Sequence, residues 1–276
     1  MTSGLDNLSL ALFTALAPAG VVAFIVLALA RIFSADHMIA LPFAVALLGF
    51  IASATHLGTP ANALHVFAGV GTSPLSNEVL SAVVFLFLSG SYWMAAFKVN
   101  FPDALAKPWL VAACLAGIAL LACTSQAYAV RTVPTWNTPY TPTNLIFAGL
   151  FEGAVFSQIF LSAAKAPLQR TGIVLVGLAG VSLVGNIAVM AVQNTALNAI
   201  ANNEFAAATL APDYSLIIAF YALAGLAAIV LDGWALRAAT STRTRFIMRI
   251  IAGVLAFAAV FAARTVFYSL HMTIGF

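Results

Sequence analysis

Charge is what this chain of 276 residues has least of: Asp, Glu, Lys and Arg make up only 7% of it, against 63% hydrophobic residues. A soluble domain is about a quarter charged, and a soluble core could not hide this much apolar surface, whereas lipid accepts it. The sequence is therefore that of a polytopic membrane protein. Cysteine is nearly absent. Cys114 and Cys123, the two present, fall in one expected helix on opposite faces, so they cannot bridge each other. Two cysteines also fall short of the four that an iron–sulfur cluster normally takes. Basic residues number only eleven and are spread over many loops, which excludes a nucleic-acid patch. The first seven residues hold Asp6 but no Lys or Arg, so the basic start of a cleavable signal peptide is not seen.

What is abundant is apolar sequence in span-length runs. Eight segments, at about 8–30, 38–55, 79–97, 109–128, 144–164, 172–192, 214–236 and 246–268, each approach the ~20 residues that a helix needs to cross the hydrocarbon. Counting alternate loops, one side holds Arg31, Lys98, Lys107, Lys165, Arg170, Arg237, Arg243, Arg245 and Arg249, and the other holds Arg131 and Arg264. Nine against two marks the first side as cytoplasmic and puts both termini outside. The expected fold is an all-α membrane protein, a single integral domain over residues 1–276, with room for two bundles of four helices. Small residues in the run from Gly177 to Gly185 read as helix packing. Trp93, Trp109, Trp136 and Trp234 read as an interfacial belt.

Against this background the few polar groups stand out. In HLGTPANALHVFAGVGTSPLSNEVL, from His56 to Leu80, an apolar run ends in a histidine, breaks at Gly58 and Pro60, and re-enters the bilayer with Glu78 at its mouth. An acid and a histidine at the edge of a greasy bundle are costly unless they have a use. Glu78 has two readings. The helix dipole and a start at Ser73 or Ser76 with Pro74 favour an acid there without any ligand. Alternatively, it accepts a proton from a quinol, with His56 bonded to a quinol oxygen and exchanging protons near neutrality. Haem ligation would need a second histidine at matching depth. His37 is on the opposite side and His65 is in the interfacial loop, which leaves His271, in the tail, as the permitted partner of His56.

Two more charges fall in the outer half of the bilayer. Glu152 is about eight residues (~12 Å) inside the fifth span and Arg264 about four (~6 Å) inside the last. They read either as a structural ion pair or as a polar lining shared with Gln126, Tyr128, Gln158, Tyr268 and His271. Asp232, close in sequence to Arg237, reads as a solvated ion pair.

The runs HLGTPANALHVF and SPLSNEV resemble the second and third helices of the DmsC family, the membrane-anchor subunits of dimethyl sulfoxide reductase and related molybdoenzymes. VRTVPTWNTPYTP is similar to that family's outer loop, and RTVFYSLHMTIGF to its C-terminal end, so the resemblance spans essentially the whole chain. It implies an anchor in a bacterial inner membrane, with both termini periplasmic. The expected partners are a molybdopterin catalytic subunit and a four-cluster iron–sulfur subunit. It also implies oxidation of menaquinol (or ubiquinol) near the periplasmic face, with no haem or iron–sulfur cluster in this chain. His56 and Glu78 match the family's quinol-binding histidine and glutamate, with Glu78 as proton acceptor. Glu152 and Arg264 are added from their intramembrane polarity. The competing expectations are a secondary transporter using the intramembrane acids and a purely structural anchor without a quinone site.

Overall fold

The computed structural model describes residues 4–33, 40–55, 60–98, 102–166, 169–237 and 241–272. Among them the architecture is all-helical apart from one isolated bridge between Ala201 and Ala206. Eight α-helices follow in order: α1 Gly4–Phe33, α2 Ala40–Ala54, α3 Pro74–Lys98, α4 Asp103–Ala127, α5 Tyr140–Ala163, α6 Gln169–Ala196, α7 Tyr214–Ala235 and α8 Thr242–Ser269. A short 3-10 helix, Pro60–Gly69, precedes α3. Seven of the eight are long and apolar enough to cross a membrane. The exception is α2, whose 15 residues rise only about 22 Å.

The helices form two four-membered rings. In the first, α1 packs on α2, α2 on α3, α3 on α4 and α4 back on α1; in the second, α5 through α8 close in the same way. The rings meet where α1 lies against α5 and α8. Burial follows from that plan. Some 72% of the α1 span and 61% of the α5 span are buried, against 28–39% for the others. The perimeter helices present Leu115, Val181, Leu223 and Val254 outward, as lipid requires.

Missing side chains make the central contact. A Cβ on Gly153 would lie 2.5 Å from Val22 Cβ, and one on Gly149 would lie 2.8 Å from Pro18 Cβ. These two glycines form a G-x-x-x-G pair on one face of α5, which lets the backbones close up. Gly20 likewise admits Ala46 of α2, and Gly49 admits Ala17. The run from Gly177 to Gly185 does less than expected. Only Gly185 is approached there, by the Phe147 ring, while a Cβ at Gly177 or Gly180 would meet nothing within 4 Å. Those two glycines lie on an open face of α6.

Candidate functional site

The start of α3 sets the position of the first candidate acid. Gly71 takes φ +87°, a left-handed conformation that glycine adopts without steric cost. Its N–H donates to Asn77 Oδ1 at 2.7 Å. Ser73 then caps the helix, its Oγ facing the Ser76 N–H at 3.5 Å, and Pro74 takes the first helical position, where its missing N–H costs nothing. The helix thus begins five residues ahead of the expected Val79. Glu78 is carried below the mouth into the ring and is only 5% exposed.

There the carboxyl borders a cavity of about 220 Å³ between α1, α2 and α3, closed by Tyr128 just past the end of α4. Phe13, Phe50 and Val83 make its walls apolar, and Ser53 adds one hydroxyl. Thr124 offers the carboxyl a hydroxyl from α4, yet Oε1 is buried without any hydrogen-bond partner. Leaving a buried polar atom unmatched costs roughly 2–7 kcal/mol. An unmatched carboxyl oxygen facing an apolar slot can accept a hydrogen bond, and then a proton, from a hydroxyl on a flat apolar ligand.

Tyr128 also ties this cavity to the second ring of helices. It stands edge-on to Tyr268 of α8, whose hydroxyl is 3.3 Å from both Leu10 O and Thr14 Oγ1 of α1. Trp136 stacks on Phe267 with centroids 4.9 Å apart and donates from Nε1 to the Phe267 carbonyl at 2.9 Å. Thr135 donates to the Leu270 carbonyl. The loop after α4 is in this way fastened to the end of α8.

The other two candidate charges lie in the second ring. Arg264, 4% exposed, has its guanidinium carbon 5.8 Å from the Phe267 ring centroid. It borders a cavity of about 20 Å³ with Asn144, Asn186, Gln193 and Tyr214, room for about one water. Around it, Asn144 Nδ2 donates to Gln193 Oε1 at 2.6 Å, the Tyr214 hydroxyl donates to the same oxygen at 3.1 Å, and Asn186 Nδ2 donates to the Tyr221 hydroxyl at 2.8 Å. Glu152 is fully buried, and both its oxygens lack a hydrogen-bond partner. The expected Glu152–Arg264 ion pair does not form. Arg31–Asp103, at 3.2 Å, is the ion pair found among the described residues.

The shared polar lining therefore divides. Glu78 and Tyr128 border one cavity and Arg264 another, with Tyr268 between them. Gln126 is exposed. Gln158 reaches instead toward the basic face, where Nε2 donates to Asp232 Oδ2 at 3.0 Å. That bond corrects the reading of Asp232, which is 1% exposed and held by a residue on another helix, while Arg237 lies over the Trp234 ring. His271 is exposed against Trp136, 5.0 Å between ring centroids, and His65 is exposed on the 3-10 helix. His56 lies outside the described residues. Sequence reasoning missed Phe13, Phe50, Ser53 and Thr124, because apolar and hydroxyl residues inside a span carry no local mark of facing a cavity.

A family model described as "DMSO reductase anchor subunit (DmsC)" matches residues 1–270. The chain belongs to the DmsC family. It is 30% identical to the C chain of the anaerobic dimethyl sulfoxide reductase of Escherichia coli (strain K12), over all of this chain and 98% of that one. It is 29% identical to the anaerobic dimethyl sulfoxide reductase polypeptide YnfH of the same organism, over 83% of this chain and 79% of the other. A more distant likeness, 32% identity over 49% of this chain and 46% of the other, is to the C subunit of sulfite dehydrogenase from Allochromatium vinosum. Family membership and the apolar helices together make this chain a multi-pass membrane protein of the DmsC anchor type.

Proposed function

We propose that this DmsC-family chain is the quinol-oxidising anchor of a dimethyl sulfoxide reductase-like molybdoenzyme complex in a bacterial inner membrane. The observation that carries the proposal is Glu78 on an apolar cavity of about 220 Å³, a carboxyl with one oxygen buried and unmatched, which suits a quinol ring with one hydroxyl aimed at the carboxyl. Oxidation of the quinol releases two protons and two electrons. Glu78 accepts one proton and His56 the other. The electrons pass to an iron–sulfur partner subunit and on to a molybdopterin subunit. The quinol is menaquinol or ubiquinol.

Arg264 and Glu152 act behind the ring, not on it. The cavity beside Arg264 is too small for a quinol, and Tyr128 and Tyr268 stand between it and Glu78. In this reading α2 makes an eighth crossing, and both termini lie on the periplasmic side with the site. The outer loops and the 3-10 helix, where Leu64 is 78% exposed, offer surface to the iron–sulfur partner.

The test is Glu78→Gln in the intact complex. Quinol oxidation should fall at least a hundredfold while all subunits still co-purify. Turnover at the wild-type rate would overturn the assignment. Failure of the wild-type complex to bind a quinone analogue would leave a structural anchor only.

A further inference from the structure

A cleft bordered by charged groups lies elsewhere. About 340 Å³ of space opens where the ends of α5, α6, α7 and α8 converge on the basic face, lined among others by Ser162, Lys165, Gln169, Thr242, Arg245 and Arg249. From this arrangement we infer that the basic end of the second helix ring binds a phosphate group, that of an anionic phospholipid seated where the four helix ends converge.

The charges do not balance without such a group. Three cations line the cleft, and no carboxylate does among the described residues. Arg249 is 4% exposed. It donates from Nη1 to Ser162 Oγ at 3.0 Å and from Nη2 to the Ala235 carbonyl at 3.3 Å, but its Nε has no partner. Arg245 donates from Nη2 to Thr242 Oγ1 at 3.3 Å, and its Nε is also buried without a partner. The acid that faces Arg249 is Asp232, buried beneath the cleft and held by Gln158. It offsets one charge of the three. Arg245 and Arg249 repel one another, so an anion between them relieves the repulsion as well as supplying the missing acceptors. Paired guanidinium groups suit phosphate oxygens, which accept two N–H bonds at a time.

A lipid is favoured over a free ion by what flanks the cleft. Ile173 and Val174 on α6 are 59% and 68% exposed, Ile250 and Ile251 on α8 are 41% and 46% exposed, and Trp234 on α7 is 51% exposed. These side chains provide apolar tracks for acyl chains on either side of a cationic head-group pocket. Basic pockets between membrane helices hold lipid head groups in this way, and the volume falls within the ~300–1,000 Å³ of ligand sites.

The test is native mass spectrometry of the full complex after exchange into phosphatidylcholine nanodiscs doped with cardiolipin. Wild type should retain cardiolipin, and the doubly substituted K165Q/R245Q protein should lose at least tenfold of it. Elution volume and thermal midpoint, compared in parallel, report whether the variant is folded. A second arm titrates inorganic phosphate. Phosphate binding that is lost in K165Q/R245Q, without preference for cardiolipin, supports the phosphate site and assigns it to a free ion. Failure to bind either, or equal retention by wild type and the double variant, overturns the site.

Discussion

The ring of Tyr128 stands edge-on against that of Tyr268, with centroids 5.9 Å apart and planes at 78°, so one phenol that closes the Glu78 cavity also touches the last helix. Such aromatic pairs contribute about 0.5–1.5 kcal/mol beyond their buried area. Tyr128→Phe keeps the ring and removes only the hydroxyl. One lost hydrogen bond is worth about 1 kcal/mol, so quinone-analogue affinity, read by equilibrium titration, should fall about fivefold with the thermal midpoint nearly unchanged. Tyr128→Ala should instead cost about 3–5 kcal/mol of stability. Wild-type affinity in the Phe variant would mean that the hydroxyl faces away from the ligand.

Ala82 is 5% exposed and lines the same cavity. Ala82→Phe should fill much of the space, abolishing analogue binding and quinol oxidation while the subunits remain assembled. If analogue still bound with wild-type affinity, the ligand would lie elsewhere.

The contact between α1 and α5 gives a paired prediction. Gly153→Ala places a methyl 2.5 Å from Val22 Cβ, and overpacking of that kind costs about 1–3 kcal/mol. Gly180→Ala meets nothing and gains up to about 1 kcal/mol of helix propensity. Reversible denaturant unfolding in mixed micelles separates the two. Equal stabilities would show that the helices part easily at Gly153.

Asp232 and Arg249 form the fourth test. Asp232→Leu removes the acceptor of Gln158 Nε2 and the carboxyl that faces Arg249, a loss of about 1–3 kcal/mol. Asp232→Asn keeps an acceptor for Gln158 and should cost less. Combining Asp232→Leu with Arg249→Met should restore most of the loss in a double-mutant cycle. Simple additivity of the two would indicate that the charges do not interact.

How far the residues foretold this structure depended on whether the decisive partner was near in sequence. The helices were legible because apolar runs of span length carry their own evidence. The start of α3 was legible in part: Ser73 and Pro74 marked a possible cap, but the span was expected only from Val79, and the turn at Gly71 went unread. The reading of Asp232 failed for the opposite reason: Arg237 was five residues away, while its actual partner, Gln158, lies 74 positions back on another helix. Tyr128 and Arg264 looked like one lining because both belong to the outer half, and depth says nothing about which helices are neighbours. The Gly149 and Gly153 pair could have been noticed by its spacing. Only the packing shows that it is used and that Gly177 and Gly180 are not.

The glycine seam between α1 and α5 has a mechanical consequence. Protein segments that trade access between two sides of a membrane need a joint along which they can roll, and such a joint keeps side chains between its surfaces. Here Gly153 and Gly149 bring one backbone onto another with no cushion of methyl groups, and Gly20 and Gly49 do the same one helix further on. The Glu78 pocket is consequently bolted to the middle of the molecule. The α1 and α2 walls of that pocket are held to the centre by the same close contacts.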